Sequence, residues 1–330
     1  MAVESNQELT IQRRIGAGNP VYSGYLADPF VFAADGNYFA VGTGPGTDDM
    51  ELPLLRSADF IHWESIGHAL STPHVEGDCF WAPEVAFADG CFYLYYSVGH
   101  SDSGHHLRVA VSHRPEGPYA DVGHPVLNPK STPFAIDASP FQDVDGQWYL
   151  YYARDFVEPD AEGRSGTGLV VAPLIDMVRI EDDFEIVMRA SHDWQRYEAD
   201  RQIYGGVYDW HTLEGPSVLR RGTRYYCFYS GGNWQNDSYG VDWLVADHPM
   251  GPFRDTNPGS GPRVLTTIPG SVIGPGHNSF VQGPDGATYI AYHAWGLDRA
   301  ARRLCLDLIH WSEAGPICLG PTWKGSAEDQ

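Results

Sequence analysis

Short apolar runs rich in Tyr, Phe, Val and Leu recur along the chain, each ended by glycine, proline or a polar residue before it could fill a helix. No sustained helical periodicity competes with a strand reading. The runs also match one another. A turn glycine followed by an aromatic strand occurs as DGNYFAVGTG (35–44), DGCFYLYYSVG (89–99), DGQWYLYYARD (145–155), RGTRYYCFYSGG (221–232) and DGATYIAYHAW (285–295). Each copy predicts a strand, a tight turn of the Asp-Gly kind and a second strand. The turn glycines Gly36, Gly90, Gly146, Gly222 and Gly286 are 54, 56, 76 and 64 residues apart. Between them lie further β-type runs. LRVAVSHRPEGPY (107–119) matches VDWLVADHPMGPF (241–253), as outer strands of equivalent units would.

Five repeats of about 66 residues with about four strands each predict an all-β protein, a five-bladed β-propeller. A single domain is expected over residues 1–330, with 296–330 supplying the closing strands of the last blade. The inner strands of such a fold begin around one end of a shared channel, so residues at those starts should converge. Asp28 stands 8 residues before Gly36, Asp137 9 before Gly146, Glu214 8 before Gly222 and His277 9 before Gly286. In the second repeat Trp81 and Ala82 fill the slot. Three carboxylates, an imidazole and a tryptophan are therefore expected around one axis.

Taken singly, each acid reads as a turn or strand-start hydrogen-bonding group, a common use of Asp and Glu. Their shared register favours a site. Converging carboxylates suit glycoside hydrolysis: one must be protonated to serve the leaving oxygen, and one ionised to activate water or attack carbon. A third can hold the other two pKa values apart by its charge. Trp81 offers a flat apolar face to a sugar ring. His277 alone would read as a hydrogen-bonded core residue. Glu84, in WAPEV, is out of register and reads as structural. Glu116, in PEGPY, aligns with Met250 of an outer strand and should lie far from the axis.

Composition narrows the partners. Forty-three Asp and Glu against 21 Lys and Arg give a formal charge of −22, which repels nucleic-acid backbones and anionic membranes and leaves a neutral sugar or a cation compatible. No apolar run reaches membrane length. The opening MAVESNQELT shows no basic region followed by an apolar stretch, so a cytoplasmic location is expected, or secretion for a chain already trimmed of its leader. Five cysteines without CxxC spacing predict neither a disulfide framework nor a zinc site.

In order, LADPFVF, WAPEV, IDASPF, LEGPSV and GPGHNSF resemble glycoside hydrolase family 43 over nearly the whole chain. That resemblance implies a five-bladed propeller and an inverting mechanism, with Asp28 as general base, Glu214 as general acid and Asp137 as the acid that orients and tunes Glu214. It further implies that His277 faces a calcium ion at the propeller centre, and that Arg302, with Arg303 as its neighbour, contacts the innermost sugar. The chain has no room for the C-terminal β-sandwich of many β-xylosidases in the group, so specificity does not transfer with the catalytic residues. The expected activity is exo-acting release of L-arabinofuranose or D-xylose from plant-derived oligosaccharides, through a pocket closed by the loops 99–107 and 231–239. Alternatives are an endo-arabinanase with an open groove, a non-catalytic sugar-binding propeller, and a retaining fructosidase, whose first motif would read Asn-Asp-Pro where this chain has Ala27-Asp28-Pro29.

Overall fold

The computed structural model describes residues 18–323 apart from 48 and 162. The described residues form 22 strands and one three-residue 3-10 turn, with no α-helix among them. A first antiparallel unit comprises β1 (Ala27–Ala34), β2 (Asn37–Thr43), β3 (Met50–Ser57) and β4 (Glu64–Ser71). The second comprises β5 (Cys79–Ala88), β6 (Cys91–His100), β7 (Ser103–Ser112) and β8 (Tyr119–Pro125), and β8 runs parallel to β4 for two residue pairs, which joins both units in one sheet. The third is the largest: β9 (Ala135–Gln142), β10 (Trp148–Phe156), β11 (Gly166–Asp176), the short β12 (Arg179–Ile180) and β13 (Glu185–Met188), and the hairpin β14 (Arg196–Ile203) and β15 (Gly206–His211). The fourth holds β16 (Leu213–Arg221), β17 (Arg224–Gly231) and β18 (Gly240–Ala246). The fifth holds β19 (Val272–Gln282), β20 (Thr288–Gly296), β21 (Arg302–Ser312) and β22 (Gly315–Cys318).

The leading strands β1, β5, β9, β16 and β19 pack side by side in a closed cycle, β19 returning to β1. The aromatic runs of the sequence are explained by the seams between units. Successive side chains on a strand point to opposite faces, and here both faces are covered. Tyr95 packs with Tyr152 in one seam while Tyr96 joins Val41 and Leu94 in the next. Tyr151 and Tyr229 share a third seam, Phe228 and Tyr292 a fourth, and Tyr289 with Ala40 a fifth. A strand buried on both faces loses its polar alternation, which is why these runs are nearly continuous in apolar residues.

Three turns are as tight as the sequence predicts, 35–36, 89–90 and 222–223. Asp35-Gly36 and Asp89-Gly90 have both residues left-handed (φ 51° and 73°, 50° and 78°), the two-residue geometry that matches strand twist. In the third and fifth units the turn is instead a five-residue loop, 143–147 and 283–287, because a smaller turn is nested inside it: the Gly146 N–H donates to the Asp143 carbonyl (3.0 Å) and the Gly286 N–H to that of Gly283 (3.0 Å). The expectation of about four strands per unit also needs adjustment. The fourth unit keeps three, since the chain after β18 carries Pro249, Pro252, Pro258 and Pro262, which cannot donate to a ladder. The third unit gains the hairpin β14–β15, which accounts for its longer spacing.

The two ends of the described chain meet on the fifth unit. The Val21 and Leu26 N–H groups donate to the carbonyls of Leu304 and Arg302 (both 2.9 Å), so the segment before β1 follows β21. Asn19 is fully buried. Its amide donates to the Leu306 carbonyl and Thr322 Oγ1, and its oxygen accepts the Leu306 N–H, all at 2.9 Å. Asn19→Ala removes these bonds and strands buried partners, so urea denaturation should show a loss of about 1–3 kcal/mol.

Candidate active site

Each leading strand is bulged near its start. Pairing shifts between Ala27 and Phe30, Trp81 and Glu84, Glu214 and Ser217, and Gly276 and Ser279, and the third unit shifts opposite Ile136–Ser139. At each bulge one residue is left-handed: Asp28 (φ 49°), Ala82 (45°), Asp137 (61°), Gly215 (55°) and His277 (52°). Non-glycine residues pay strain there and persist only where the surroundings hold them. Gly215 answers a steric demand as well, because a Cβ would come within 3.2 Å of the His277 ring.

A bulge takes a backbone N–H out of the ladder, and at three of the five bulges a second-strand side chain of the unit next door supplies the acceptor. The Asp28 N–H donates to His293 Nδ1 (3.1 Å), that of Ala82 to Thr43 Oγ1 (2.8 Å) and that of His277 to Ser230 Oγ (2.7 Å). Thr43, Ser230 and His293 hold one position on the second strands, paired with Ala27, Glu214 and Gly276. In the third unit that position is Ala153, which pairs with Ile136 and has no acceptor to offer. There the Asp137 carboxylate accepts the Gly215 N–H (2.8 Å). Asp137 is thereby fixed against the residue that follows Glu214.

Asp28, Trp81, Asp137, Glu214, His277 and Arg302 all line one cavity of about 540 Å³, so the structure brings together every residue singled out from the sequence. It also corrects their register. Asp28, Asp137 and His277 are left-handed bulge residues, whereas Glu214 stands one position earlier, in the register of Trp81. The repeats differ in turn length, so counting from the turn glycine merges two adjacent registers.

Asp28 is the best-compensated acid. Burial alone would raise its pKa, but the Arg302 guanidinium (3.2 Å), His277 and His293 outweigh it and hold the carboxyl well below its usual range. Burial also pushes His277 down, and His293 to about 4. Both are therefore neutral near pH 7, and Arg302 supplies the positive charge. Arg302 is fixed in turn: its Nε and Nη2 donate to the Tyr25 hydroxyl (3.1 and 2.9 Å), and its guanidinium lies 4.3 Å from the centre of the Trp234 ring. Arg303 faces away and pairs with Asp298 at the surface (2.8 Å).

Glu214 is the opposite case. Burial pushes its pKa up to about 7, with the Asp28 charge adding to the rise and the Tyr239 hydroxyl, which donates to Oε1 (2.5 Å), opposing it. Asp137 is raised too, first by burial and then by Glu214 and Asp28. Two buried carboxyls that repel each other titrate as a pair and retain a proton near neutrality.

Other expectations sort by position. The 99–107 run is not a loop but the end of a hairpin: β6 reaches His100 and β7 begins at Ser103, and the two-residue turn Ser101–Asp102 lines the cavity, as do Trp234 and Gln235 of the loop between β17 and β18. Tyr197 of β14 joins them, and sequence reasoning did not find it. Trp81 stacks on His105, ring centres 3.7 Å apart. Glu116 is exposed and borders a separate surface cavity with Arg56 and His68. Glu84 does not line the site, yet burial raises its pKa to about 8, opposed by a hydrogen bond with Ser139. His293 was legible in principle, since it follows its turn glycine by seven residues, as Thr43 follows Gly36. Tyr239 carries no such signal. Among the described residues no three His, Cys, Asp or Glu side chains group as metal ligands. Asn278, beside His277, is buried with both amide atoms unpartnered.

Tyr239→Phe removes a donor that favours ionised Glu214. The midpoint of the Glu214 carboxyl titration, followed by carbon-13 NMR, should move to higher pH in this variant.

The sequence profile described as Glycosyl hydrolases family 43 matches residues 17–317. A β-D-galactofuranosidase of Aspergillus niger is 30% identical, over 95% of this chain and 88% of that protein. A xylosidase/arabinosidase of Humicola insolens is 28% identical over 61% of this chain and 62% of its own length. The crystal structure of a thermostable family-43 glycoside hydrolase superposes with a TM-score of 0.80 at 27% identity, covering 93% of this chain and 97% of that one. The profile match begins before Tyr25 and ends beyond Arg302, enclosing every residue of the cavity, and the chain belongs to glycosyl hydrolase family 43.

Proposed function

We propose that this chain is a five-bladed β-propeller glycoside hydrolase, exo-acting and inverting, that releases L-arabinofuranose or D-xylose from plant-derived oligosaccharides. The observation that carries the reading is the split between two carboxyls in one cavity, Asp28 held ionised beside Arg302 and Glu214 pushed up to about 7. A general base must be ionised and a general acid protonated at working pH, and environment alone separates them here. In this mechanism Asp28 takes a proton from water as the water attacks the anomeric carbon, while Glu214 delivers its proton to the leaving oxygen. Asp137 holds the backbone beside Glu214, and the two buried carboxyls share the proton that Glu214 delivers.

The Ser101–Asp102 turn of the second unit and Trp234–Gln235 of the fourth both line the cavity, which supports a pocket that admits a terminal sugar rather than an open groove. Trp81 offers that sugar an apolar face, and Arg302 a hydrogen-bonding one. The name of the Humicola relative supports the pentose reading. The Aspergillus relative, which matches more of the chain, favours a second reading in which the terminal sugar is β-D-galactofuranose. The five cysteines, all free, suit a reducing cytoplasm.

The test is a panel of nitrophenyl α-L-arabinofuranoside, β-D-xyloside and β-D-galactofuranoside, with proton NMR of the first product. Cleavage of either pentoside with inversion is expected; a retained anomer would overturn the mechanism, and cleavage of the galactofuranoside alone would select the second reading. On the preferred substrate, Glu214→Gln and Asp28→Asn should each lower kcat by at least about a hundredfold, while Glu116→Gln should match the unsubstituted enzyme.

His277 and water would hold the calcium ion, and its charge would help keep neighbouring carboxylates ionised. Removal by EDTA should lower the melting temperature and activity, and added calcium should restore both. An unchanged melting curve and rate would argue against a bound ion.

A further inference from the structure

The third unit carries an element that the other four lack, the hairpin β14–β15. It is placed directly before the proposed acid, since β15 ends at His211 and Glu214 is the second residue of β16. The junction is fixed from both sides: the His211 N–H donates to the Ser165 carbonyl (3.0 Å) and the Leu213 N–H to Thr167 Oγ1 (2.9 Å). On β14, Tyr197 lines the cavity that contains Glu214. Arg201 backs Tyr197, its guanidinium 5.1 Å from that ring centre and 5.5 Å from the centre of buried Trp210. The same guanidinium crosses to the second unit and pairs with Asp102 (2.8 Å), which also lines the cavity. At the hairpin turn, the Tyr204 hydroxyl donates to Asp155 of β10. The hairpin is thus anchored at its turn, at its base and across the cavity mouth.

We infer that this hairpin forms the leaving-group side of the cavity, with Tyr197 as the platform for the first sugar beyond the cleaved bond and the Arg201–Asp102 pair as its positioning clamp. The inference rests on the glycosidase reading. A general acid must face the oxygen of the departing sugar, so the wall that continues into Glu214 belongs to the leaving side. An aromatic ring backed by a stacked guanidinium is a stiff amphipathic surface, suited to one face of a pyranose or furanose. The terminal sugar, by contrast, is held near Trp81 and Arg302.

The experiment separates the two sides. Arabinotriose and xylotriose are offered as substrates, and free arabinose and xylose as inhibitors that fill only the terminal-sugar side. For the trisaccharide that the unsubstituted enzyme cleaves, Tyr197→Ala should lower kcat/KM roughly tenfold or more, chiefly by raising KM. The inhibition constant of the matching monosaccharide and the melting temperature should stay near their original values. Tyr197→Phe should restore trisaccharide cleavage, because the ring rather than the hydroxyl makes the platform. Arg201→Ala should show the same split as Tyr197→Ala. Parallel weakening of the monosaccharide, or unchanged trisaccharide kinetics in Tyr197→Ala, would overturn the inference and leave the glycosidase reading intact. Failure of the unsubstituted enzyme to cleave either trisaccharide or any of the three nitrophenyl glycosides would overturn both.

Discussion

The bulge near the start of each leading strand is the constraint on which the site depends. A regular strand would point its side chains alternately into the two flanking seams, where Tyr and Val already sit. The left-handed residue breaks that alternation and gives Asp28, Asp137 and His277 to the cavity. The break frees a backbone N–H, which would be costly if left buried and unpaired. Thr43, Ser230 and His293 accept it from the neighbouring unit, so the bond that satisfies the bulge also ties adjacent units together. Fold closure and site geometry are in this sense one set of hydrogen bonds.

The departure at Gly215 is chemically informative. Where Ala153 offers no acceptor, the Asp137 carboxylate takes the Gly215 N–H, which places a second acid against Glu214. Repulsion within this buried pair and the desolvation of both carboxyls work in one direction, toward retaining a proton. At Asp28 the balance is reversed, because Arg302 from the last unit reaches the first. The difference between an acid and a base therefore arises from which neighbour each carboxyl meets, and the Arg302 contact exists only because the fifth unit closes on the first.

The sequence by itself determined the repeat, the all-β class, and the acids Asp28, Asp137 and Glu214 together with Trp81 and His277 as site candidates; Arg302 entered only through the family resemblance. It could do so because a tight turn demands glycine and so marks each repeat, and because a strand buried on both faces must be apolar throughout. Tertiary structure decided what local rules cannot reach. It placed Glu214 one register away from Asp137, chose Arg302 over Arg303 by which one faces Tyr25 and Asp28, and brought Tyr239 and Tyr197 to the acid. Those partners are distant in the chain or lie on an inserted hairpin with no counterpart in the repeat, and their roles follow from burial and charge, which exist only once the units have closed.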